Sequence, residues 1–160
     1  MKPTDVMPMN LIKTALDYSF TEKYNHVILL GEWCLKNEES VLSTRQNFES
    51  VPYHWNDQSK YQRDYIYLDL LYENLLIELS QDLNHIHQLN HDIRYWRIII
   101  GPWLKFFIDI LFDRYECVKT AKNVKENFSS VLYSYDLGDW CHLKFSDFWD
   151  DLESDEWNEV

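Results

Sequence analysis

Glycine and proline are scarce in this chain, with three and four in 160 residues. So few chain-breakers argue against a loop-rich β fold and for long regular elements. Cysteine is scarce as well. Cys34, Cys117 and Cys141 form an odd, scattered set without a CxxC or zinc-finger spacing, which fits a reducing cytoplasm rather than a disulfide framework. Long apolar runs are missing. The longest, Ile98 to Leu104, falls short of the ~20 residues that a bilayer span needs. The N-terminal "MKPTDVMPMN" lacks the apolar core of a signal peptide. The expectation is therefore a soluble cytoplasmic protein with no membrane span. An excess of basic residues is also missing. The net charge of -12 excludes non-specific attraction to nucleic acid or anionic lipid. That charge is uneven: residues 146–160 hold seven acids and no base, leaving twenty acids against fifteen bases elsewhere.

Aromatic residues are abundant, with seven Trp, eleven Tyr and eight Phe. That content excludes wholesale disorder, and the length suits a single domain with a real core. "NHVILLGEWCL" holds the one strong buried-strand signal, Val27 to Leu30, ended by Gly31. A continuous apolar run of this kind belongs to a strand covered on both faces, as in a parallel α/β sheet. Residues 10–20 read as a short helix or turn, 36–50 as partly helical, and "SSVLYSY" as a second short strand. Tyr61, Tyr65, Leu68, Tyr72, Leu75, Leu79, Leu83 and Ile86 are spaced by threes and fours. They predict one face of a helix over about 57–88, capped by Asp57 or Ser59. Asn90 or Asp92 can cap a second helix over about 93–118, apolar almost all round and so expected to be buried. Phe145, Phe148, Trp149 and Leu152 predict a further helix with an acidic face. The fold class expected is α/β, dominated by helix, with too few strands for a complete doubly wound sheet.

Several constellations can carry chemistry. Glu32 follows Gly31 just past the carboxyl end of the predicted strand, the edge where open α/β sheets bind ligands. There it can act as general base toward a sugar hydroxyl, with Trp33 beside it; a plain strand-end turn is the competing account. "YHWND" places Tyr53, His54 and Trp55 on a loop. Rings for stacking and polar atoms for hydroxyls suit a sugar site, and a loop pinned by buried aromatics is the alternative. Arg94, Arg97, Gly101 and Lys105 share one face of a continuous helix. Pro102 either kinks that helix or restarts it, and a restart would leave free backbone donors. The cations can hold an anionic group or pair with the chain's own acids, Asp92 or Glu73 among them. His87 and His91 have a helical four-residue spacing, with His85 nearby. "LNHD" breaks that helix, so the reading assigns no metal and no cofactor. The acidic tail "DFWDDLESDE" matches no cation-binding loop.

"LLGEWCL", "PYHWND" and "LNHDIRYWRIIIGPWL" with "LFDRYE" occur in this order across residues 25–118. In this the chain resembles the N-terminal part of the LIC12162-type transferases, bacterial proteins encoded among genes for O-antigen and other surface polysaccharides. The resemblance implies a partial Rossmann-like N-terminal half of a two-domain glycosyltransferase-like fold. It also implies a C-terminal domain beyond residue 160, a nucleotide-sugar donor held mainly by that domain, and a glycan acceptor held mainly by this one. Glu32 and His54 are then the base candidates. Gly31, Trp33, Tyr53, Trp55, Arg94, Arg97, Gly101 and Lys105 are the substrate-binding candidates. The chain alone is expected to be inactive. The rival expectation is a non-catalytic helical interaction module or an inactive truncated remnant.

Overall fold

The computed structural model describes residues 10–13, 26–31, 34, 47–124, 128–130 and 144–151. Helices dominate them. The chain divides into two compact units, residues 1–53 with 117–160, and residues 54–116.

The first unit is built on a sheet of β1 (Asn10–Lys13), β2 (His26–Leu29), β3 (Asn47–Ser50) and β4 (Phe128–Ser129). The strands run parallel in the order β3-β2-β1-β4. β2 lies inside the sheet, which is why its sequence is apolar at successive positions. Val27, Ile28, Leu29 and Leu30 are 0–3% exposed. They share a core with Cys34, Val51, Cys117 and Ala121. The last two stand four residues apart on one helix and so meet the core from the same face.

Three expectations need correction here. Residues 10–13 form a strand, not the start of a helix or turn, because four residues are too few to display a period. Residues 47–50, "NFES", are also a strand and not helix. Their polar character fits a position at one end of the strand order, where pairing is one-sided. The short strand expected in "SSVLYSY" begins one residue earlier and covers Phe128–Ser129, while residues 131–135 lie outside the described residues.

The second unit is a helical hairpin. α1 spans Gln58–His87 and is capped by Asp57, whose carboxylate accepts from Ser59 N–H at 2.8 Å. It ends at Gln88, which is left-handed at φ 54° and ψ 41°. Leu89 N–H then reaches back to the Asn84 carbonyl at 2.9 Å, a Schellman-type closure in which glycine is the commoner residue. The Asn84 side chain fixes the turn. Its amide donates to the His91 carbonyl at 2.8 Å, and its oxygen accepts from His91 N–H and the Trp96 indole, each at 3.1 Å.

Asp92 caps α2 (Ile93–Ile99) by accepting from Tyr95 N–H at 2.9 Å. α3 follows over Gly101–Val124. The single helix expected over 93–118 is thus two. Pro102 has no N–H for the Ile98 carbonyl, so the ladder breaks at Ile100 and restarts. α1 and α3 are antiparallel, since Lys60 near the start of α1 meets Glu116 far along α3, while Tyr72 further along α1 lies against Gly101 at the start of α3.

Leu68, Leu76, Leu104 and Ile108 make the hairpin core, with Leu71, Tyr72, Leu75, Leu79, Ile100 and Phe112 against it. The predicted α1 face holds only in its middle, and Tyr61, Tyr65 and Ile86 are exposed. Nor is the second helical segment buried all round: Ile98, Ile99, Phe106 and Leu111 are exposed. A two-helix hairpin covers only one side of each helix. α4 (Phe145–Asp151) buries Phe148 and leaves Phe145 and Trp149 exposed. Leu152 lies outside the described residues. No described helix is long and apolar enough to cross a membrane.

Candidate functional site

The hairpin unit opens with the last part of the turn that links β3 to α1, and charged side chains gather beneath it. His54 is buried, its side chain 1% exposed. Its Nε2 lies 3.0 Å from Asp113 Oδ1, and its Nδ1 lies 3.4 Å from Lys60 Nζ. An ammonium can only donate, so Nδ1 is the accepting nitrogen and Nε2 carries the proton donated to Asp113. Both ring nitrogens are therefore engaged. The other Asp113 oxygen accepts from Arg114 at 3.0 Å.

Lys60 also donates to Asp64, four residues along α1, and to the buried Glu116 at 3.0 Å. Trp55 Nε1 donates to the same Asp64 carboxylate at 3.0 Å. Rings enclose the cluster. Trp55 lies 4.6 Å from His54 and stacks on Phe112 at 6.2 Å. Lys60 sits 5.5 Å from the Phe112 centroid.

The charges shift accordingly. Burial opposes the Lys60 ammonium, but hydrogen bonds to Asp64 and Glu116 outweigh it and hold its pKa above the ordinary lysine value. Burial likewise pushes Asp64 up, and the hydrogen bonds from Lys60 and Trp55 more than reverse this, leaving it below the usual aspartate value. A lysine held this firmly protonated is neither base nor nucleophile at neutral pH. Together His54, Trp55, Lys60, Asp64, Asp113 and Glu116 clamp the start of α1 to α3.

On the other predicted face Arg97 forms a two-pronged pair with Glu73, at 2.5 and 2.6 Å, and lies over the Tyr72 ring at 5.7 Å. The hydrogen bonds from Arg97 hold Glu73 below the ordinary glutamate value, and those to Glu73 raise Arg97 further. Lys105 pairs with Asp109 at 3.0 Å. Arg94 is exposed and forms no ion pair among the described residues. Gly101 is buried, and a Cβ there would come within 2.6 Å of the Tyr72 hydroxyl. The space that glycine leaves is thus taken by Tyr72.

Tyr53 is 45% exposed. Gly31 is buried at the end of β2, while Glu32 and Trp33 lie outside the described residues. α1 ends at His87, so His87 and His91 do not share a helix. His91 instead stacks on Tyr95 at 3.9 Å. The sequence reading missed Lys60, Asp64, Asp113 and Glu116. Its available signal was the Lys60–Asp64 spacing and the acids that interrupt an otherwise apolar helix in "LFDRYE".

The profile of the LIC12162 family transferases matches residues 9–160. The chain belongs to this family. No curated protein and no solved structure matches the chain significantly. The family match runs through both units of this transferase-family member.

One pH dependence follows from the pairs. The folded-state pKa values of Asp64 and Glu73 are depressed. The stability they lend is present at neutral pH and is lost as pH falls through about 4. Lys60 is raised, so its share persists until the pH rises beyond the lysine range, above about 10. The urea midpoint is expected to fall between about pH 5 and pH 3, and to fall less steeply in Glu73→Gln. An identical acid limb in that variant would count against the Glu73 share.

Proposed function

We propose that this LIC12162-family chain is the acceptor-side, N-terminal portion of a glycosyltransferase-like enzyme of bacterial surface polysaccharide (O-antigen) biosynthesis. The enzyme would move a sugar from a nucleotide donor to a glycan hydroxyl. The observation that carries this reading is the all-parallel sheet in the order β3-β2-β1-β4. That is the order in which a Rossmann-like half begins, with the winding reversing between β1 and β4, and the chain's family is one of transferases. In such sheets ligands approach the carboxyl ends of the strands.

Gly31 follows the last residue of β2 by two, on the carboxyl side of the strand, and Glu32 after it in sequence is the proposed base, with Trp33 next. Tyr53 offers an exposed ring. In the hairpin unit, taken by itself, Arg94 is an exposed cation that could hold an anionic group. His54 serves by holding its turn. The proposed C-terminal domain would hold the donor.

In transfer assays with the longer family protein and a panel of nucleotide sugars, Glu32→Gln should lower kcat by about 10²-fold with an unchanged melting curve. An unaltered kcat removes Glu32 from the role, and no transfer from any donor removes the reading itself. The exposed Ile98, Ile99, Phe106 and Leu111 favour a second reading, a helical interaction module. That reading predicts stoichiometric capture of one protein partner by the longer protein without sugar transfer.

A further inference from the structure

Tyr61 and Tyr65 fall on the apolar period of α1, yet they are 42% and 56% exposed. Their rings lie 6.5 Å apart and are tilted by only 32°. Trp55 meets Tyr61 edge-on at 5.6 Å and 89°, so the first ring is braced by a side chain that is itself held by Asp64. At spacings of three and four on the same helix stand Gln58, Gln62 and Asp69, all exposed. Two ring faces alternate with two amides and one carboxylate along the first three turns.

We infer that this strip of α1, Gln58, Tyr61, Gln62, Tyr65 and Asp69, is a binding subsite for a neutral glycan. A pyranose presents a face of C–H bonds and a rim of hydroxyls. The tyrosine faces cover the C–H bonds, and the amides and carboxylate donate to and accept from the rim. The only charge in the strip is negative, which disfavours phosphates and acidic sugars. The apolar groove of about 500 Å3 between α1 and α3 lacks this mixture. Leu71, Leu75, Trp103, Leu104, Phe107 and Leu111 line much of it, and the Trp103 indole N–H and the Tyr115 hydroxyl are the polar groups that its lining side chains carry. Ile66 and Leu70, on the neighbouring face of α1, are exposed but bring no polar group. The strip rests on the proposed function, because a glycan acceptor is what would occupy it.

The test uses the full 160-residue chain, 15N-labelled, titrated with cellohexaose, chitohexaose and maltohexaose. At least one should shift the amide signals of residues 58–69, and Tyr65→Ala should weaken its binding by about tenfold, the loss of one stacked ring. Tyr61 and Tyr65 are surface residues, so the variants should melt with the parent protein. Absence of shifts with all three sugars overturns the subsite, and so does equal affinity in Tyr61→Ala/Tyr65→Ala.

Transfer assays separate this proposal from the one beneath it. In an active longer protein the double variant should raise the acceptor KM and leave kcat unchanged, whereas an unchanged KM sinks the strip but not the transfer reading. Glycan binding through residues 58–69 in a protein that transfers nothing keeps the strip and removes the transferase role.

Discussion

Replacing Lys60 by methionine is expected to cost about 3 kcal/mol of folding stability, the lower end of what removing one partner from a buried ion pair does. Lys60 faces two carboxylates, Asp64 and Glu116, and accounts for one of the hydrogen bonds to His54. The side chain of Glu116 is 8% exposed and that of Asp64 is 17% exposed. Without the ammonium, two acids remain in a poorly hydrated pocket and must either protonate or draw in water. The lower end is chosen because Lys60 keeps 24% of its side-chain surface in solvent. A second variant tests the cause. In Lys60→Met/Asp64→Leu/Glu116→Met the uncompensated charges are gone, so much of the loss should return, as replacing a whole buried ion pair with apolar residues often does. Urea unfolding followed by tryptophan fluorescence reads both, since Trp55, Trp96 and Trp103 report on the hairpin. A Lys60→Met midpoint equal to the parent's would mean the network is solvated and contributes nothing.

Leu76→Ala should cost about 3 kcal/mol, within the usual range for emptying a closed leucine site. Leu76 is 0% exposed and packs among Leu68, Leu104 and Ile108 where α1 crosses α3. Long helices on both sides resist collapse into the space that the missing methyls leave. Leu76→Met, which keeps the volume, should cost under about 1.5 kcal/mol. Ile66→Ala and Leu70→Ala, each two residues from Leu68 and so on the opposite, outer side of α1, should be nearly silent, because both residues are 60% exposed. If Leu76→Ala cost no more than Ile66→Ala, the packing of α1 on α3 would be wrong.

These two residues show how much a linear reading can see. α1 was legible to within a residue at each end, because thirty residues give the apolar period many turns in which to show. Which side chains of that period become buried was not legible. Tyr61, Tyr65, Leu68 and Leu79 look alike in sequence, yet only Leu68 is fully covered. Leu76, the most buried, stands off the predicted row. β2 was legible because a covered strand is apolar at successive positions, whereas β1 (NLIK) and β3 (NFES), equally four residues long, mix polar and apolar positions and give no such run. The Arg97–Glu73 pair was one of two accounts weighed for that arginine. The His54 clamp was not foreseen, since Asp113 lies 59 residues away.

By itself the sequence determined the first long helix, the buried strand and the family. It narrowed the caps to Asp57 or Ser59 and to Asn90 or Asp92, and marked Gly101-Pro102 as a kink or a restart. All of these depend on neighbours within a few residues, or on phrases that survive as written. The tertiary structure decided the rest: the order β3-β2-β1-β4, the restart of α3 at Gly101 beneath Tyr72, the pairing of Arg97 with Glu73, and the burial of His54 between Asp113 and Lys60. The physical reason is the same in each case. A charge or a strand edge is satisfied by whichever group the fold brings within 3 Å or so, and that partner's place along the chain leaves no periodic mark.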